Sequence, residues 1–114
     1  MSRLLHCLIV VTALSAGCSA GSPEVPLGPD GNPDPELTVG RDLWSERCAS
    51  CHGRDGGGGS GPKLSAGKVA ENFPDPVEQK QLILEGGNGM PAFTGKLSDS
   101  ETEAVVRYTR EVLG

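Results

Sequence analysis

Five residues, Cys48-Ala49-Ser50-Cys51-His52, constrain this chain more than any other feature. They place two thiols three positions apart and an imidazole directly after the second. Such a group can hold a zinc ion, form a redox disulfide or anchor an iron porphyrin. The rest of the chain favours a group of this kind as part of the fold. Residues 38–114 read as the folded part; they number 77 and contain one Trp, one Tyr and two Phe. A domain so small buries little surface and usually needs a disulfide, a metal or a cofactor.

Cysteine placement narrows the choice. The chain has four cysteines, Cys7, Cys18, Cys48 and Cys51. Arg3, an apolar run from Leu4 to Leu14 and the small residues Ser15-Ala16-Gly17 form an export-signal pattern, so residues 1–17 are expected to be removed. The run is too short for a bilayer-spanning helix of roughly 20 apolar residues. Leu14-Ser15-Ala16-Gly17-Cys18 resembles a bacterial lipoprotein box, which makes Cys18 the expected lipid-bearing residue. It departs from that pattern in having Ser15 where a large aliphatic is preferred. Ordinary cleavage near Ala20 is the alternative. Only Cys48 and Cys51 then remain in the domain, with His52 as its sole histidine. Structural zinc needs four ligands, and no second paired motif supplies them. A thioredoxin-type pair needs a βαβ setting, and no strand-like runs flank the motif. C-x-x-C-H is the attachment signature of c-type haem. Thiols at i and i+3 lie on one side of a helical turn, where they can add to two vinyl groups of one porphyrin, and His52 follows on the same side.

An iron held by His52 needs a ligand on its other face. Beyond the signal the chain has no second histidine and a single methionine, Met90, in Gly86-Gly-Asn-Gly-Met-Pro-Ala-Phe93. Glycines and Asn88 permit a tight irregular loop there, and Pro91 stiffens the residue after the sulfur. The alternative is that Met90 only fills a loop or core position.

With these residues in order, the chain resembles a small bacterial class I cytochrome c over residues 38–114. The resemblance rests on an aromatic-bearing helix into CASCHG, a glycine-rich loop into Gly61-Pro62-Lys63-Leu64, a helix into GGNGMPAF and a closing helix. It implies an all-α fold of three to four helices wrapped around one haem c, joined covalently through Cys48 and Cys51. It also implies His52 and Met90 as axial iron ligands, Pro62 as the residue whose carbonyl orients His52, and Leu64 as packing near the haem face. In the family the first and last helices cross where a glycine admits an aromatic, and Gly40, Trp44 and Tyr108 match that contact.

The local patterns agree. Gly40, Trp44, Cys48 and Cys51 recur on one helical face, and Thr38 is the expected N-cap. Ser98 and Glu101 form a capping box, followed by a buried stripe of Ala104, Val105, Tyr108 and Val112. A middle helix is expected over Pro76 to Glu85, with Val77, Leu82 and Ile83 inward and Gly86 ending it. Residues 18–37 carry five prolines and three glycines from Ser19 on, with few large apolar side chains; after Cys18 they read as a flexible tether. Gly56 and Gly61 have P-loop spacing, but Pro62 stands where that motif requires Lys; the loop is expected to be flexible and to cover one haem edge.

The expected function is one-electron carriage between membrane-associated redox proteins, such as an oxidase, a dehydrogenase or a reductase complex. No acid–base or nucleophile constellation is visible, so no enzymatic activity is expected. The alternative is a haem-based gas or redox sensor, or a small peroxidase, with a displaceable Met90. The chain is expected to be exported, anchored at a membrane by lipid on Cys18, and a monomer or a subunit of a complex. Setting Arg3 aside, nine basic residues face fifteen acidic ones, so no nucleic-acid partner is expected. Acidic charge would steer it toward basic patches, yet 56–67 carry only Lys63 and 86–97 only Lys96. A small, weakly polar docking patch is therefore expected there, in keeping with short-lived redox encounters.

Overall fold

The computed structural model describes residues 21–114; the export signal and Cys18 lie outside the described residues. Five helices form within them: α1 (Pro35–Arg47), α2 (Ala49–His52), α3 (Lys68–Asn72), α4 (Pro76–Glu85) and α5 (Asp99–Glu111). The described residues contain isolated bridges but no strand. None of their helices is long and apolar enough to cross a membrane. The three longer helices are those anticipated from the sequence. The single turns α2 and α3 bring the total above the expected three to four.

Helix ends follow local chemistry. Asp34 caps α1 by accepting from the Glu36 and Leu37 amides, and Pro35 occupies the first turn, where its missing N–H costs nothing. The expected cap, Thr38, lies instead inside the helix, its hydroxyl donating to the Asp34 carbonyl. Asp75 and Pro76 repeat the same start at α4. At α5 the capping box is complete: the Glu101 amide donates to Ser98 Oγ at 3.1 Å, and the Ser98 amide donates to the Glu101 carboxylate at 2.7 Å.

The core is organised by the crossing of α1 on α5. A Cβ placed on Gly40 would lie 2.8 Å from Tyr108 Cβ and closer still to the Ala104 carbonyl oxygen. Only glycine permits this approach. Trp44, Val105 and Tyr108 are buried around it, with the Trp44 and Tyr108 ring centroids 6.4 Å apart. Leu37, Ile83, Phe93, Leu97, Val106 and Leu113 complete the apolar cluster. Val112 is only partly buried, and Leu113 takes the inward place. On α4 the inward residues are Gln79 and Ile83, Leu82 is partly buried, and Val77 is exposed. The buried polar groups are matched: Gln79 Nε2 donates to Thr109 Oγ1 at 2.7 Å, and Thr109 donates to the Val106 carbonyl.

The segment read as a tether is packed at Ser22 to Val25 and held again at Asp34, with most of the residues between them exposed. Its few apolar side chains matter less than its backbone carbonyls. Arg41 donates to the Ser22 and Pro23 carbonyls at 2.8–3.1 Å, and Tyr108 Oη donates to the Pro23 carbonyl at 2.7 Å. Ser45 Oγ donates to Ser22 Oγ, and Val25 is buried. At the far end Arg107 pairs with Asp34, Glu36 and Glu111. The Arg107 guanidinium first, and then the Leu37 and Glu36 amides, hold the Asp34 carboxyl below its usual range.

Two consequences can be measured. Gly40→Ala should force α1 off α5 and lower stability by about 2–3 kcal/mol or more, read as a fall in the urea midpoint. Burial raises the Tyr108 hydroxyl to about 12 from 10.0, with Glu24 adding to the shift and Arg41 opposing it. Because the folded state keeps this proton longer, the associated stability is intact below pH 10 and declines toward pH 12. Tyr108 is the only tyrosine, so phenolate absorbance should titrate near 12 in the native protein and near 10 after unfolding.

Candidate functional site

The CASCH stretch is the hinge between α1 and α2. Cys48 ends α1, its amide donating to the Trp44 carbonyl, and also begins the single turn of α2. The Cys51 and His52 amides both donate to the Cys48 carbonyl, at 3.2 and 3.0 Å. This turn sets the thiols at i and i+3 and carries the imidazole with them. Both cysteines are free; Cys48 is buried and Cys51 exposed. Burial, and secondarily the neighbouring Cys51, push the Cys48 thiol up to about 11.

His52 is held in one orientation. It is buried, and its Nδ1 lies 2.9 Å from the Pro62 carbonyl oxygen. A carbonyl only accepts, so Nδ1 carries the proton and Nε2 keeps its lone pair for a metal. The Trp44 ring lies 5.9 Å from the imidazole, and its indole N–H donates to the Arg54 carbonyl at 3.1 Å, fixing the chain just beyond the motif. That bond was not foreseen, although a buried tryptophan nitrogen ordinarily requires a partner.

The glycine-rich loop is tied down by its own backbone rather than left flexible. Gly58 donates to the His52 carbonyl at 2.7 Å, Gly61 to the Cys51 carbonyl at 2.8 Å, and Leu64 and Ser65 to the Gly56 carbonyl. These amides are therefore engaged with the chain itself, not arrayed for a phosphate. Gly61 is seated against the imidazole: a Cβ there would lie 2.9 Å from His52 Cε1 and 3.0 Å from Nδ1. This seat also escaped the sequence reading, where Gly61 counted only as part of a flexible loop.

Met90 is set by a second loop. Gly87 and Met90 exchange backbone hydrogen bonds at 3.0 and 2.9 Å around Asn88 and Gly89, both at positive φ as a two-residue type I′ turn requires. Before the turn Gly86 donates to the Leu82 carbonyl; after it Phe93 donates to Ile83 and Thr94 to Leu84. Leu64 and Met90 are both partly buried against the cluster that contains Cys48, Ile83 and Phe93. The structure thus brings Cys48, Leu64 and Met90 to one cluster and His52 and Pro62 to one hydrogen bond.

This donor set suits a covalently held porphyrin. Two reduced thiols a helical turn apart, an imidazole with Nε2 free and a thioether against the same core are the groups that such a cofactor uses. Among the described residues no group of three or more His, Cys, Asp or Glu side chains gathers as a metal cluster would require. The absence of strands there likewise leaves the Cys pair without a βαβ frame.

Known proteins agree with this geometry. Residues 35–108 match the family model described as "Cytochrome C oxidase, cbb3-type, subunit III". Cytochrome c6 of Leptolyngbya boryana is 35% identical over 75 residues, covering 64% of this chain and 88% of that protein. The cytochrome bc1 complex cytochrome c subunit of Mycobacterium leprae is 35% identical over 104 residues, covering 83% of this chain. The chain spans only 35% of that relative's length. Cytochrome c6C from Synechococcus sp. PCC 7002 superposes with a TM-score of 0.57 at 28% identity, covering 66% of this chain and 94% of that one. The chain therefore belongs to the c-type cytochromes, in the family described as cytochrome c oxidase, cbb3-type, subunit III, and binds haem c covalently through Cys48 and Cys51.

Proposed function

We propose that this chain is a one-electron carrier whose iron is held between His52 and Met90, working between redox partners at the outer face of a membrane. The observation that carries this reading is the His52–Pro62 hydrogen bond beside the two thiols. It fixes the tautomer and strengthens the free nitrogen as a donor. When bound, the haem supplies the ferric–ferrous couple, and His/Met ligation places it at a higher potential than thiolate ligation does. The chain's own residues then have three tasks. Cys48 and Cys51 would fix the porphyrin's place, Gly61 and Pro62 would seat and orient the imidazole, and Met90 would offer its sulfur to the iron beside Leu64, which would pack near the haem face.

The sensor or peroxidase reading depended on a mobile methionine loop. The reciprocal Gly87–Met90 bonds and the anchors at Gly86, Phe93 and Thr94 argue for a braced one. Carriage also fits the surface. Gly57, Gly59 and Ser60 are exposed, as is Cys51, and the exposed charges near them are Arg54, Asp55, Lys63 and Lys96, so the loops flanking the site offer a partner a surface with few charges, of mixed sign. We place Pro62 with the haem-binding residues on its hydrogen bond to His52, and Leu64 on its packing against the cluster that holds Cys48. Lipid on Cys18 would keep the carrier at the membrane, and the Ser15-Ala16-Gly17-Cys18 sequence supports that reading.

Two experiments test these assignments. The ferric holoprotein should show the weak far-red band of methionine sulfur on iron, and its reduced form should not bind carbon monoxide. Met90→Ala should abolish the band and open the iron to carbon monoxide. Rapid carbon monoxide binding by the unaltered protein would instead favour the sensor or peroxidase. Separately, Cys18→Ser should move the protein from the membrane to the soluble exported fraction; retention of the variant on membranes would refute lipid anchoring.

A further inference from the structure

The segment from Ser22 to Asp34 lies along α1 and runs against its direction. Ser22 sits beside Ser45, in the last turn of α1, through an Oγ–Oγ hydrogen bond of 2.8 Å. Pro23 is held between Arg41 and Tyr108, Glu24 pairs with Arg41, and Asp34 caps the start of the same helix. Between them a tight turn closes at Asp30–Asn32, with Gly28 donating to the Asn32 carbonyl at 2.7 Å. The segment therefore enters the domain at the cysteine end of α1, three residues before Cys48.

This placement changes the meaning of an anchor at Cys18. From Cys18 to Ser22 is four residues, which can span at most about 14 Å. Ser45 and Cys48 are about 5 Å apart along a helix. We infer that residues 22–34 act as a docked strap, not a tether, and that they hold the haem-bearing end of α1 within roughly 25–30 Å of the lipid-bearing residue. With the strap undocked, the free span from Cys18 to Asp34 would lengthen to about 50 Å. The partner that fits a short leash is a membrane-embedded redox protein whose exchange site opens close to the bilayer surface. A partner receiving electrons well above the membrane would require the long leash. The inference rests on the Cys18 reading given above.

The test uses the lipidated, haem-loaded full chain in phosphatidylethanolamine–phosphatidylglycerol vesicles carrying a headgroup fluorophore, which the haem quenches at short range. Two variants accompany it. One inserts fifteen Gly/Ser residues between Gly21 and Ser22, outside the strap contacts. The other combines Arg41→Gln with Tyr108→Phe to free the strap while keeping the apolar bodies of both side chains. A glutamate-specific protease reports docking separately, because Glu24 is the only glutamate from Ser22 to Asp34. We expect Glu24 to be protected in the unaltered chain and cut faster in the double variant. We expect the spacer to weaken quenching at least about twofold, since it adds roughly 20 Å of flexible reach. Equal quenching with and without the spacer would overturn the short leash. Cleavage at Glu24 as fast in the unaltered chain as in the double variant would overturn the docked strap. A chain absent from the membrane fraction, yet protected at Glu24, would refute the lipid reading and the leash with it, leaving the strap in place.

Discussion

The close approach of α1 and α5 at Gly40 is the constraint on which the other features depend. One missing Cβ lets the α1 backbone rest on the Ala104 carbonyl and Tyr108. That contact seats the Trp44 and Tyr108 rings tilted against each other in the core, and Trp44 in turn lies beside His52 and donates to the Arg54 carbonyl. The same Tyr108 presents its hydroxyl to Pro23. The site and the N-terminal strap are thus both hung on one helix crossing. Packed interiors transmit displacements of this kind because they have little free volume to absorb them.

Much of this was legible in the residues, for identifiable reasons. The Ser98–Glu101 box and the Pro76–Gly86 bounds of α4 are local signals, each complete within a few positions. The periodic face of Gly40, Trp44 and Cys48 is nearly as local. The readings that differed involved choices that local pattern does not rank. Thr38 and Asp34 are both acceptable caps, and the proline directly after Asp34 favours the earlier start. Val77 looks inward by composition, but the buried stripe of α4 runs through Gln79, whose amide has a partner thirty positions away in Thr109. The strap was hidden because its attachment uses backbone carbonyls, which every sequence possesses, and donors on Arg41 and Tyr108 that no spacing rule links to it.

Charge plays a supporting part. Arg107 gathers Asp34, Glu36 and Glu111, and Lys80 gathers Asp99 and Glu103, so two cations hold five of the carboxylates. Exposed pairs of this kind add little stability singly. Their effect is to keep an acidic chain from repelling itself where the helix ends converge. Nearer the site, residues 56–67 carry only Lys63 and residues 86–97 only Lys96, with Arg54 and Asp55 just before them.

The loop from Gly53 to Leu64 measures its length with backbone groups. Gly58 reaches back to His52, Gly61 to Cys51 and Leu64 to Gly56, and only then does the Pro62 carbonyl arrive at the imidazole. Asp55 joins this count through its carboxylate, which accepts from the Gly57 amide at 2.9 Å, whereas side chains such as Ser60 and Lys63 stand outside it and are exposed. Over evolutionary time the loop should therefore drift freely in spelling at those positions while resisting insertion or deletion. A single added residue would shift every later hydrogen bond out of phase with the ring it supports.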